Sequence, residues 1–207
     1  MHDDFNNEDL DIHLLSPYVK ANSNWASTKE RLGYLRMHGR QSFFSRFDVS
    51  ILAARVDSFV FTATTKVDFN PIHFSQSAGL ILYYDNNNWL FARKSIDDET
   101  GNHFIDVLQA KKGKRTDLQR IKTLIPSHET EVKLKVCVNY EKAQFFYQTS
   151  ANENFEKLGD ELDITFLSDE DIDGFTAMMV GIGTWDAFRH ESFADFDYFI
   201  MDSEDTK

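Results

Sequence analysis

Asp57-Ser-Phe-Val-Phe-Thr-Ala-Thr-Thr-Lys-Val-Asp-Phe69 decides the fold class. Phe59, Phe61, Ala63, Thr65, Val67 and Phe69 fall on one face of this stretch, and Ser58, Thr62, Thr64, Lys66 and Asp68 on the other. Side chains along a β-strand alternate between faces, so a strand with one buried and one wet face reads this way. Glu131–Tyr140 repeats the pattern, with Leu134, Val136, Val138 and Tyr140 inward and Lys133, Lys135, Cys137 and Asn139 outward. Lys142–Thr149 follows across a tight Tyr140–Glu141 connection, which predicts a hairpin.

Further strands are expected at Tyr34–His38, Ala78–Tyr84, Trp89–Ser95, Phe104–Ala110, Thr176–Gly183 and Asp195–Met201. Polar turn sequences separate them, among them Asp85–Asn88, Asp97–Gly101 and Ser150–Asn154, rich in residues that tolerate left-handed backbone or bond their own main chain. No long segment has a 3.6-residue period; Ser168–Asp173 predicts one helical turn with Ser168 as its cap. Many strands at short spacing mean an all-β sandwich or barrel, and 19 Phe point to two sheets facing each other through aromatic layers. No linker or internal repeat divides the chain, so it reads as one domain over 1–202 with a polar tail at 203–207.

The net charge is 22 − 34 = −12. Such a surface repels phosphate backbones, which disfavours nucleic acid as a partner and leaves a neutral sugar indifferent. The one basic run, Lys111–Arg115, has a central Gly113 and reads as a solvated hairpin tip. Cys137 is the only cysteine, so no internal disulfide forms. Met1–Phe5 lacks the marks of a signal peptide, and no apolar run approaches the roughly 18 residues of a membrane span. A cytoplasmic protein without a membrane partner is the expectation.

Few residues offer chemistry. The 7 His show no metal-ligand spacing, and Cys137 reads as an inert thiol on an outward strand position. Asp195 and Asp197 are two apart on one expected strand and share a face, with Phe196 and Tyr198 opposite. Paired carboxylates on an exposed sheet face are usually solvated or cap backbone donors, and no catalytic role is assigned to them. Trp89, Trp185 and Trp25 are candidate sugar-stacking platforms, set against the alternative that a Trp in a sandwich packs in its core.

Several motifs in order resemble one known module. They are Gly33-Tyr-Leu-Arg-Met-His-Gly39, Phe69-Asn-Pro71, Phe74-Ser-Gln-Ser-Ala-Gly-Leu80, Asn88-Trp89, Leu167-Ser-Asp169, Phe175-Thr176 and Ala194-Asp-Phe-Asp-Tyr-Phe199. The chain is similar, over about 190 residues, to the concanavalin A-like β-sandwich at the C-terminus of family 43 glycoside hydrolases, chiefly β-xylosidases. It departs from that pattern at Ala54 (usually Arg), at Ala177 (usually Gly), at Ala151–Phe155 and in the turn Ala187–Phe193.

The resemblance implies a two-sheet antiparallel jelly-roll sandwich. It also implies that the catalytic carboxylates of such enzymes lie in a separate five-bladed propeller, so this chain carries none. Its expected role is to complete the propeller's active-site pocket, with Phe175 as the contributed aromatic, and to support assembly, homo-oligomers included. A free-standing module for xylo-oligosaccharides is the alternative. No cofactor is required. The fold implies one candidate, a structural calcium clipping the terminal strands through Asp3, Asp4 and Asp195 or Asp197, or through Asp169–Asp173.

Overall fold

The computed structural model describes residues 1–118 and 122–203. Two antiparallel sheets pack face to face. The first runs β13 (Glu156–Asp163), β12 (Lys142–Gln148), β11 (Glu131–Asn139), β5 (Val60–Asp68), β15 (Phe193–Ser203), β3 (Leu35–His38) and β2 (Ala26–Ser27). Strand β1 (His2–Asp3) also pairs with β15. The second runs β10 (Thr123–Ile125), β8 (His103–Lys111), β7 (Asn88–Ile96), β6 (Gln76–Asp85), β14 (Met179–Asp186) and β4 (Ser50–Arg55), with β9 (Lys114–Asp117) against β8. A 3₁₀ turn at Thr165–Leu167 and a one-turn helix α1, Asp169–Ile172, precede β14. No helix among the described residues is long and apolar enough to cross a membrane.

The alternation in β5 holds from Phe61 to Val67, whose inward members are buried while Thr62, Thr64, Lys66 and Asp68 stay partly wet. The expected hairpin β11–β12 turns at Tyr140, and the basic tip β8–β9 turns at Lys112 and Gly113, with φ of 54°, 51° and 74°. Ser168 caps α1 as expected, its Oγ accepting from Asp171 N–H at 3.2 Å.

Four expectations are corrected. Phe59 and Tyr140 lie just outside β5 and β11 and are 70% and 59% exposed, because the ladder stops one residue short of each. Strand β14 begins at Met179, not Thr176, since Ala177 adopts φ 58° and breaks the extended run. A bulge at Asp197 shifts the register of β15 against β5: Phe196 faces Val67, but Tyr198 faces Lys66. Tyr198 therefore joins the outer face with Asp195, and Phe199 replaces it inside. Ser203 ends β15, so the tail assigned to 203–207 loses its first residue, and 204–207 lie outside the described residues.

The core between the sheets includes Phe61, Leu80, Val136, Phe145, Phe196 and Phe199. A second cluster covers the outer face of the second sheet, where Phe43 sits edge-on to Trp185 and Phe91 at 4.7 and 4.8 Å between centroids. At one end of the sandwich the buried Lys94 ammonium donates to the carbonyls of Phe69, Glu129 and Thr130 at 2.5–3.0 Å, tying loops from both sheets together. The opposite end carries the connections 56–59, 140–141 and 164–178.

Candidate functional site

That opposite end presents the one residue brought forward for a pocket. Phe175 is 98% exposed, on the loop between α1 and β14. A large aromatic side chain left in water buries nothing on folding and gains from burial only against a partner. Its loop is specifically shaped: Asp173 (φ 61°) ends the helical turn in the left-handed region, and Ala177 (φ 58°) leaves the loop in the same region. Left-handed backbone costs a residue with a Cβ about 1–2 kcal/mol relative to the right-handed form, which accounts for the glycine usual at this place in the motif. Alanine keeps the geometry at some strain.

Beside the loop, a pocket of about 730 Å³ opens into the end of the sandwich. Its wall is mostly apolar, with Phe61, Ile164, Leu167 and Met178, while Asp57, Glu141 and Glu170 supply carboxylates. Phe59 and Tyr140 stand on the same wall as parallel rings, 6.0 Å between centroids and 5° between planes.

The other sequence candidates fall elsewhere. Trp89 and Trp185 are 0% and 6% exposed beneath Phe43 and Phe44, and Trp25 is equally buried. None offers a ring face to a sugar, which corrects their reading as platforms. The segment 40–49 that covers Trp89 and Trp185 gives no periodic signal, so its role as a cover is not legible in the sequence. Cys137 is half-buried on the outer face of β11.

Asp195 is not a solvated carboxylate. It is 3% exposed, and Arg36 grips it with Nε and Nη2 at 2.7 and 2.8 Å. Arg31 bridges it to Asp68 at 2.9 and 2.7 Å. Burial alone would raise its carboxyl, but Arg36 and Arg31 outweigh that and hold it below the usual range. Asp197 pairs instead with Lys66 at 3.1 Å.

Strands β1 and β15 are neighbours, as a calcium clip would need, yet the carboxylates are otherwise engaged. Asp3 accepts from the N–H groups of Phe5 and Asp11, and exposed Asp4 accepts from that of Asn6. Among the described residues, no group of three His, Cys, Asp or Glu side chains is arranged to hold a metal ion.

The family of β-xylosidase C-terminal concanavalin A-like domains matches residues 2–202. The chain belongs to that family. A Bacillus subtilis β-xylosidase is 31% identical over 200 residues, which cover 95% of this chain and 37% of that protein. A Vibrio xylan 1,3-β-xylosidase is 29% identical over 184 residues. The crystal structure of xylan β-1,4-xylosidase from Bacillus halodurans superposes with a TM-score of 0.93 at 28% identity, covering 98% of this chain and 39% of that one. The domain thus spans less than two fifths of the length of these relatives.

Sequence reasoning brought forward Phe175 through its motif, but it missed Phe59, Tyr140 and Asp169. The first two were read as core because each continues an alternation by one residue. Asp169 stands both in the Leu167-Ser-Asp169 motif and in an acidic cluster, and neither marks it as the partner of a distant tyrosine.

Proposed function

We propose that this domain is the accessory sandwich of a β-xylosidase-type glycoside hydrolase, completing the active-site pocket of a separate propeller and supporting its assembly. The observation that carries this reading is Phe175, an aromatic ring held almost wholly in solvent on a defined loop. Glycoside hydrolysis needs two carboxyl groups flanking the bond; here the propeller supplies them, and the sandwich supplies an apolar wall against which a sugar or its leaving group packs. The domain matches relatives named as β-xylosidases over only part of their length, in keeping with that division of labour.

The test is complementation. Hydrolysis of an aryl β-xyloside is measured for a family 43 propeller lacking its sandwich, for this domain, and for the two mixed. Activity restored only in the mixture, and lowered by Phe175→Ala, supports the reading. A mixture no more active than the propeller alone counts against it.

A second reading, a module that binds xylo-oligosaccharides by itself, is favoured by the Phe59–Tyr140 pair beside the 730 Å³ pocket. Aromatic faces and carboxylate acceptors suit a neutral sugar ring. Titration calorimetry with xylobiose and xylotriose tests it; no heat at millimolar sugar removes it.

A further inference from the structure

Asp169 touches the Phe175 loop at both ends. Its Oδ1 accepts the Tyr84 hydroxyl at 2.5 Å and the Ala177 N–H at 3.1 Å. Its main-chain carbonyl accepts the Gly174 N–H at 3.1 Å. Residues 174 and 177 bracket Phe175 and Thr176, so a single residue closes the loop on itself. Tyr84 lies on β6 and fastens that closure to the second sheet. Space is arranged for the contact: a Cβ at Gly174 would stand 2.0 Å from the Tyr84 hydroxyl oxygen.

The carboxylate is not spent on its own helical turn. Capping of α1 is done by Ser168, whose Oγ takes the Asp171 N–H. Asp169 is free to bind the loop, and what it binds is the N–H of Ala177, the strained residue at the loop's exit. Strained backbone persists where surrounding contacts over-determine it, and such places cluster at functional sites.

We propose that Asp169, backed by Tyr84, is a positioning residue that fixes the 174–177 loop so that Phe175 projects in one direction. This rests on the reading of Phe175 as a wall of the propeller's pocket. A ring that must meet a substrate at a defined place loses less freedom on binding if its loop is already ordered. Exposure of Phe175 with order in its backbone is therefore the expected design, where exposure with a mobile loop would give a weak wall.

The experiment separates order from activity. Chymotrypsin cleaves after exposed Phe only when the local backbone opens, so nicking after Phe175 under native conditions reports loop opening. Tyr84→Phe removes one donor and Asp169→Ala removes the shared acceptor; Asp171→Ala, on the same turn but facing Lys112, is the control. Nicking is expected to rise about tenfold in Asp169→Ala and severalfold in Tyr84→Phe, with Asp171→Ala unchanged. Backbone ¹⁵N relaxation at Phe175 gives a second measure that does not depend on the global stability of the variants. Unchanged nicking and relaxation in both variants would overturn the proposal.

The same variants are then mixed with the propeller. A lower kcat/KM that follows the loss of order, and that Phe175→Ala makes no worse when added, supports positioning. Loss of order with hydrolysis undiminished in an active mixture overturns it. If no mixture is active, the complementation reading fails on its own, while nicking still decides whether Asp169 orders the loop.

Discussion

The rings of Phe59 and Tyr140 lie parallel, 6.0 Å apart at their centroids, and the Tyr140 N–H donates to the Phe59 carbonyl at 2.8 Å. Each residue sits one step beyond the strand that precedes or follows it, so the pair closes the end of the β5–β11 ladder from outside. Both rings are more than half exposed, so single truncation of either removes little burial and is expected to cost under about 1 kcal/mol. The pair itself contributes about 0.5–1 kcal/mol beyond area. A double-mutant cycle with Phe59→Ala and Tyr140→Ala, read by urea denaturation, is expected to show coupling of that size. Additive effects would mean the rings are neighbours without interaction.

Asp195 sits where two guanidinium groups converge. Replacing it with Asn removes the charge while Arg31 and Arg36 stay, 32% and 21% exposed and able to regain water. Breaking a fully buried pair costs roughly 3–5 kcal/mol; with that partial rehydration the loss expected here is about 2–3 kcal/mol. Arg36→Lys, which keeps the charge but loses the two-pronged grip, should cost about half of it. Urea midpoints of the two variants measure both. An Asp195→Asn variant as stable as the parent would mean that its charge holds nothing.

Acid stability is expected to centre on Asp186. Burial alone would raise its carboxyl, but the N–H groups of Arg189 and Glu191, the Gln76 amide and the Ser192 N–H bring it down to about 2. A carboxyl depressed on folding contributes stability that is full above its unfolded value near 4 and is lost as pH falls toward 2. The shift corresponds to about 2 kcal/mol at neutral pH. Asp186→Asn should forfeit that amount at pH 7 and flatten the decline between pH 4 and 2. Equal slopes for parent and variant in that window would refute the assignment.

How much of this was legible follows from the physics of each signal. Alternation in Asp57–Phe69 reports which face a residue takes, so β5 and β11 were readable along their length. It does not report where hydrogen bonding stops, which is why Phe59 and Tyr140 were placed inside. A bulge adds one residue without any change of composition, so the reversal of Tyr198 behind Asp197 left no trace in the sequence. Trp89 and Trp185 do face outward from their sheet, but burial there depends on a distant covering segment. Phe175 came from its motif alone. The Tyr84–Asp169 bond joins residues 85 apart in sequence and had no local signature.

Phe175 is where stability and function should separate. At 98% exposure its ring makes almost no folding contribution, so Phe175→Ala should leave the urea midpoint within about 0.5 kcal/mol of the parent. In the reconstituted enzyme the same change removes an apolar wall, and a loss of about tenfold in kcat/KM is expected. Phe175→Trp keeps an aromatic face and should retain most of the activity, whereas Phe175→Asp should fall below Ala, because a carboxylate there would be desolvated without a partner. The order Trp, Ala, Asp at constant stability is the signature of a pocket wall. An Ala variant that loses stability instead of activity would make Phe175 a packing residue, and a flat series in both would leave its exposure without use in this reaction.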